Sequence, residues 1–358
     1  VKATQKLHDA GQSLWIDDIT RGMLDDGTLK RYIDELSVTG LTSNPTIFEK
    51  AVAKSSAYDG AIRKLTERGL LSESLFFELA LDDLSRAADL FLPVHERTAT
   101  VDGWVSLEVS PLLAYDTKAT IEQAKRLHQK AGKPNLFIKI PGTKEGLPAI
   151  EEATFAGVPV NVTLLFSADD YLAAADAYLK GLERRVAAGR DPDVRSVASV
   201  FISRWDRAIA DKVPDSLRNT LGIAIGKDAY RAYRELLASD RWQRLAGHGA
   251  RAQRLLFAST SSKDPKAPDT LYITALAAPN TVNTMPDETL RAFADHGSLN
   301  AMLTTDGGDS GKVLQAFAAA GIDVPALGRQ LQSDGAKAFV KSWQDLLASI
   351  DKKSTALV

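Results

Sequence analysis

A lysine occupies a strand-like segment that has no structural use for a charge: Asn135-Leu136-Phe137-Ile138-Lys139-Ile140, ahead of the turn Pro141-Gly142-Thr143. Strand side chains alternate, so Leu136, Ile138 and Ile140 share one face and Lys139 takes the other. A buried ammonium is costly unless it is paired or gives up its proton. A neutral amine held at the end of a strand is a nucleophile for carbonyl carbons, through Schiff-base formation. An ordinary lysine, with a pKa of ~10.4, is neutral about once in a few thousand at pH 7, a handicap of roughly 4–5 kcal/mol. Burial works against the ammonium, and an anion on a neighbouring strand works for it.

The same alternation can be applied to the other strand-like runs. Val105, Leu107 and Val109 share a face, which leaves Ser106 and Glu108 on the other. Val160, Val162 and Leu164 oppose Asn161 and Thr163, and Ala198, Val200 and Ile202 oppose Ser199 and Phe201. Leu14 and Ile16 oppose Trp15 and Asp17, Ser259 follows a seventh run, and Thr42-Ser43-Asn44-Pro45 ends another where the proline stops pairing. Carboxylates, amides, hydroxyls and one amine are thus expected in phase at the ends of several strands.

Those strands are expected near 13–17, 38–42, 104–109, 135–140, 158–163, 197–202, 254–258 and 270–275, with helical periodicity between them. Ser167 and Asp170 stand at capping-box spacing ahead of a helix over 169–188 that stops at Gly189. Alternating strands and helices imply a parallel sheet, and eight strands imply an α/β fold closed as a (β/α)8 barrel of TIM type. An open doubly wound sheet is the structural rival. The long intervals 43–103 and 203–253 read as extra helices on one barrel domain spanning 1–358. The tail from 311 to 350 reads as amphipathic helix, with Phe317, Leu327, Leu331, Phe339, Trp343 and Leu346 as its apolar positions. Active sites of such barrels lie at the C-terminal ends of the strands, where the polar set falls.

Composition narrows the chemistry. With 44% hydrophobic and 25% charged residues and a net charge of -2, the 358-residue chain has the profile of a globular protein, with no charge signature of a nucleic-acid or membrane partner. It has no cysteine, which removes disulfides, thiolate catalysis and thiolate metal sites. No apolar run approaches membrane-spanning length, and residues 1–11 are polar, so the cytoplasm is the expected compartment.

Taken together, Thr42-Ser43-Asn44-Pro45-Thr46, Val105-Ser106-Leu107-Glu108-Val109, Phe137-Ile138-Lys139-Ile140-Pro141-Gly142-Thr143 and Asn161-Val162-Thr163-Leu164-Leu165-Phe166-Ser167 resemble transaldolase, over about residues 14–347. Asp17-Asp18-Ile19-Thr20-Arg21 and Ala278-Pro279-Asn280-Thr281-Val282-Asn283-Thr284-Met285-Pro286 resemble its longer bacterial and plant-type branch. The resemblance implies a class I Schiff-base mechanism without metal or cofactor, in the non-oxidative pentose phosphate pathway, with sugar phosphates as substrates; the sequence leaves the assembly open between monomer and dimer. Lys139 would attack C2 of sedoheptulose 7-phosphate or fructose 6-phosphate. Asp17 would take the C4 hydroxyl proton as C3–C4 breaks, and Glu108 with Thr163 would position a water for proton transfers. Asn44, Asn161 and Ser199 would hold the three-carbon unit within a wall that includes Thr42, Ser106 and Phe201. Arg204 would bind phosphate with Ser259. Where the smaller branch reads Ser-x-Arg, this chain reads Ser259-Thr260-Ser261-Ser262-Lys263, so Lys263 would supply the second phosphate charge without arginine's bidentate fork.

Plainer readings stand beside these. Asp18 suits a capped turn, Asn44 before Pro45 suits a turn, and Glu108 could serve only as an ion-pair partner for Lys139. Arg204 could pair with Asp206 or Glu183. Asp306-Gly307-Gly308-Asp309-Ser310-Gly311 has neither EF-hand spacing nor a P-loop lysine and reads as a turn. The histidines (His8, His95, His128, His248, His296) are scattered outside the expected strands, and none is assigned a metal. Among functions, a fructose 6-phosphate aldolase would share the lysine but release free dihydroxyacetone, and a non-catalytic barrel would bind sugar phosphate without reacting.

Overall fold

Eight short segments rich in β-branched and apolar residues pair side by side in chain order and close on themselves. They are β1 (Gln12–Ile16), β2 (Val38–Leu41), β3 (Trp104–Glu108), β4 (Leu136–Pro141), β5 (Val160–Leu165), β6 (Ser196–Phe201), β7 (Arg254–Ala258) and β8 (Thr281–Met285). All pairings are parallel, and β8 returns to β1, so the sheet is a closed (β/α)8 barrel and not an open one. The structure, a computed structural model, describes residues 1–17 and 19–357.

The strands are buried on both faces, as a barrel wrapped in helices requires. The outward set Val105, Leu107, Ile138, Ile140, Val160 and Val162 is almost fully buried in the main core. On the inward face an aromatic layer lies one alternation step before the polar residues. Phe137 stacks on Trp104 at 4.0 Å and meets Trp15 at 6.2 Å between ring centroids. Gly40 in β2 makes room for that layer, because a Cβ there would stand 2.6 Å from the Trp15 indole. Register then sets the next layer up: Glu108 pairs with Lys139, Lys139 with Asn161, and Pro141 with Thr163.

One expected strand is corrected. The eighth strand is Thr281–Met285, whereas Leu271–Ala275, inside the expected 270–275, is helical. The run Leu-Tyr-Ile-Thr has strand-like composition but buries Tyr272 and Ile273 from a helical turn, with the Tyr272 hydroxyl donating to Asp206. Thr281-Val-Asn-Thr-Met looks too polar for a barrel strand, yet each of its polar side chains finds a partner, with only the Asn283 amide nitrogen left without one among the described residues. Thr281 donates to the Ala278 carbonyl, Asn283 accepts from Thr260, and Thr284 meets Thr42.

The long connections are helical, as expected: Pro45–Lys54, Asp59–Glu67 and Ser72–Arg97 in the first, and Ser203–Ile209, Leu221–Ala238 and Asp240–Gly247 in the second. Ser167 caps the helix Ala168–Ala187, and Gly189 leaves it with φ +67°. The tail divides at Gly321 into Ser310–Ala319 and a long helix, Val324–Leu357, with Leu331, Phe339, Trp343 and Leu346 buried. That helix crosses the C-terminal mouth of the barrel. Its Gln332 amide donates to the carbonyls of Gly142 and Leu164, where β5 bulges and Leu164 takes φ +59°. Among the described residues no helix is long and apolar enough to cross a membrane.

Candidate active site

Lys139 projects from β4 into the barrel with 5% of its surface exposed, and its Nζ lies 3.9 Å from Glu108 Oε2 on β3. Its end reaches a cleft of about 930 Å3, measured out to solvent, at the C-terminal mouth. Asp17, Thr42, Asn44, Thr163, Ser199, Phe201, Arg204, Ser259 and Lys263 line the same cleft.

Asp17 follows the last residue of β1, and its backbone N–H continues the barrel ladder to the Met285 carbonyl. Thr42 donates to Asp17 Oδ1 at 2.7 Å and lies 2.8 Å from the Thr284 hydroxyl. Burial of the carboxyl pushes its pKa up; Lys139, Thr42, Arg204 and Asn44 pull the other way without cancelling it. The residue keeps part of its surface open to the cleft, but the carboxyl itself is enclosed. Arg21 is anchored to the long helix Ser72–Arg97: it donates to Asp83 at 2.8 Å, and Tyr58 donates to the other Asp83 oxygen at 2.7 Å. Asp18, expected as a capped turn, lies outside the described residues.

Asn44 does cap a helix, its Oδ1 accepting from the Ile47 N–H at 3.1 Å, so the turn reading and a place in the cleft hold together. Ser106 and Asn161 are completely buried and do not line the cleft. They form a hydrogen-bonded belt beneath it, in which Ser199 donates to Asn161 Oδ1 at 2.7 Å and Asn161 Nδ2 donates to Ser106 Oγ at 3.1 Å. That belt locks the orientation of Ser199, the member that reaches the cleft.

Glu108 and Thr163 stand apart from this network. Among the described residues neither Glu108 oxygen nor the Thr163 hydroxyl has a hydrogen-bond partner, although all three atoms are buried. Burial raises the Glu108 pKa most strongly, Lys139 opposes it, Asp17 adds to it, and Arg204 opposes it again. Polar groups left this way are expensive and are often retained for chemistry.

Arg204 sits just beyond β6, and the partners its plainer reading offered are engaged elsewhere. Asp206 accepts from the backbone of Leu221 and Gly222 and from Tyr272, while Glu183 pairs with Arg241 at 2.6 Å. Among the described residues no carboxylate lies within 4.0 Å of the Arg204 guanidinium, which packs 4.8 Å from the Phe201 ring and 5.6 Å from the Phe339 ring. Burial and Arg207 lower its pKa, against Asp17 and Glu108. Ser259, at φ +55°, shares a 2.9 Å hydrogen bond with Ser203, and the exposed Lys263 ammonium donates to Ser261 at 3.2 Å.

Thr284 and Phe339 also line the cleft and were not expected there. Thr284 would have emerged from its in-phase position had the eighth strand been read at 281–285. Phe339 is one apolar position among several in an amphipathic helix, and nothing in the pattern says that this helix covers the mouth.

The sequence matches the transaldolase/fructose-6-phosphate aldolase family over residues 14–350. It is 46% identical to a transaldolase of Thermobifida fusca over 98% of both chains. The chain belongs to this family. It is also 44% identical to a transaldolase of Mycolicibacterium smegmatis, over 95% of this chain and 94% of that one. A "Transaldolase 2" of Nostoc is 39% identical over 97% and 96%.

In this family member the buried Glu108 carboxyl carries a testable consequence. A raised folded-state pKa means that folding is favoured most with the group protonated, below the ordinary carboxyl range. That advantage is lost as pH rises through the folded pKa, so at neutral pH the ionised group opposes folding. Glu108→Gln is therefore expected to raise Tm at pH 7–8, by roughly 2 °C per kcal/mol recovered. The gain should shrink toward zero as pH falls below the ordinary carboxyl range. Thermal melts of both proteins across pH check this; a variant less stable at pH 8 than the parent would contradict it.

Proposed function

We propose that the protein is a transaldolase that moves a dihydroxyacetone unit from sedoheptulose 7-phosphate or fructose 6-phosphate to an aldose phosphate. The observation that carries the reading is one buried lysine beside a carboxylate that, among the described residues, accepts no hydrogen bond, at a cleft that also holds Asp17 and an arginine with no carboxylate partner among those residues.

The Lys139 amine adds to C2 of the ketose, and the carbinolamine loses water to give an imine. Glu108 and Thr163, with hydrogen-bonding capacity to spare on the Lys139 side, serve those proton transfers through a water. Asp17 takes the C4 hydroxyl proton as the C3–C4 bond breaks, and the bonding electrons pass into the imine as an enamine. The aldose phosphate departs while the three-carbon unit stays on Lys139. An acceptor aldose phosphate then enters, the enamine carbon attacks its aldehyde, Asp17 returns the proton, and water hydrolyses the new imine. Asn44 and Ser199 orient the three-carbon hydroxyls, with Ser106 and Asn161 fixing Ser199 from below and Thr42 fixing Asp17. Arg204, Ser259 and Lys263 take the phosphate at the far end, where binding energy aligns the reacting carbons. No step in this sequence calls for a metal or cofactor. We assign the enzyme to non-oxidative pentose phosphate metabolism in the cytoplasm, as one domain over the whole chain.

Acceptor dependence tests the reading. With fructose 6-phosphate alone, turnover is expected to stop after about one equivalent of glyceraldehyde 3-phosphate per site, and to resume on adding erythrose 4-phosphate, as a ping-pong scheme requires. Continuous release of free dihydroxyacetone without acceptor would make the protein an aldolase instead.

A further inference from the structure

Among the described residues no carboxylate fixes the Arg204 guanidinium, and packing aims it, much of it from the C-terminal helix Val324–Leu357. The helix is tied across the mouth at two places: Gln332 to the ends of β4 and β5, and Ser342 to Thr46 after β2 at 2.7 Å. Between these ties lie Gly335 and, one turn on, Phe339. A Cβ on Gly335 would stand 3.0 Å from Arg204 Nη1 and 2.9 Å from Leu164 Cδ2. Phe339 lies 5.6 Å from the guanidinium carbon, and Phe201 lies 4.8 Å from it. The cation is thus confined by two rings and by the bare backbone of one glycine.

We propose that Gly335 and Phe339 are positioning residues for Arg204, and that through it they set the preference of this cleft for phosphorylated over unphosphorylated sugars. The inference rests on Arg204 being the phosphate-binding cation. Aromatic rings occupy guanidinium faces and leave N–H edges free, and phosphate recognition by arginine uses those edges. Glycine is an unfavourable residue for a helix interior, where alanine would stabilise the element. Its place at 335 is explained by the space that Leu164 and the arginine together occupy against the helix. The atoms a new methyl would meet are side-chain ends, so Gly335→Ala should fold, with the Leu164 methyl and the Arg204 guanidinium displaced instead of the backbone.

The test compares D-glyceraldehyde 3-phosphate with D-glyceraldehyde as acceptors, with sedoheptulose 7-phosphate as the donor, so that cleavage releases erythrose 4-phosphate and the two acceptors give fructose 6-phosphate and fructose respectively. In a ping-pong scheme kcat/KM for the acceptor reports the second half-reaction alone, so donor effects drop out. Gly335→Ala is expected to lower kcat/KM for the phosphorylated acceptor about 10-fold, mainly through KM, and to leave the unphosphorylated one within about 2-fold. Phe339→Leu should shift the same ratio in the same direction, and it carries the test alone should Gly335→Ala fail to fold. In an Arg204→Lys background the slimmer cation should make Gly335→Ala less harmful than in the parent, a non-additivity that general damage to the helix would not produce. Arg204→Gln tests the underlying reading separately, by collapsing the preference for the phosphorylated acceptor. If Arg204→Gln collapses it while Gly335→Ala and Phe339→Leu affect both acceptors equally or neither, the inference is overturned and the role of Arg204 stands. If Arg204→Gln leaves the preference intact, the phosphate reading itself fails and the inference with it.

Discussion

Lys139→Ala is expected to reduce kcat with fructose 6-phosphate and erythrose 4-phosphate by on the order of 10⁵-fold, a loss typical of removing a covalent nucleophile. The size follows from the absence of any substitute. Among the residues lining the cleft the other cations are Arg204, which does not form imines at neutral pH, and the exposed Lys263. Fold and phosphate binding should survive, because Lys139 contributes one 3.9 Å ion contact while the core rests on apolar strand residues and helices. Steady-state kinetics with circular dichroism and inorganic phosphate inhibition check both halves. A variant retaining more than about a hundredth of parental turnover would not fit a covalent mechanism.

Asp17→Asn is the second large effect, and it separates two chemical steps. Asparagine keeps the shape and can still accept from Thr42, but it cannot take the C4 proton. Cleavage should fall by about 10²–10⁴-fold, the usual contribution of a positioned general base. Imine formation at Lys139 should persist, so donor-derived carbon accumulates on the enzyme while aldose release stops. The pH profile carries a further sign. Asp17 must be ionised to act, and burial raises its pKa above the ordinary value of 3.8, so kcat should decline on an acid limb that begins above that value. In stability the sign is reversed, as for Glu108: the ionised carboxyl opposes folding above its raised pKa. Asp17→Asn should therefore melt higher than the parent at neutral pH. An inactive variant that is also more stable is the pattern expected of a site whose charges serve chemistry. Rapid-quench kinetics would sink this assignment by showing cleavage unimpaired in Asp17→Asn.

Most of the barrel could be read from its strands because two-residue alternation survives even when both faces are buried. Outward Ile138 and Ile140 against inward Lys139, and outward Leu107 against inward Glu108, fix phase without any knowledge of neighbours. The eighth strand escaped because Thr284 and the Asn283 side-chain carbonyl oxygen are held by partners distant in sequence, Thr42 and Thr260, which local composition cannot reveal. Site residues at strand ends were legible for the same reason as the strands. Phe339 and Gly335 were not, since a helix pattern says which face is buried but not what it is buried against. The depth of each polar residue was also hidden. Ser106 and Asn161 share phase with Glu108 and Thr163, yet they form a belt beneath the cleft while Glu108 and Thr163 are left without partners.

The measurement closest to the central claim is borohydride reduction of the parent protein in the presence of fructose 6-phosphate, followed by peptide mass mapping. An amine that attacks C2 from inside the barrel should leave one reduced three-carbon unit per chain, on the peptide bearing Lys139, and the label should disappear in Lys139→Ala. A fully active enzyme that gains no mass, or gains it on another lysine, would contradict the account.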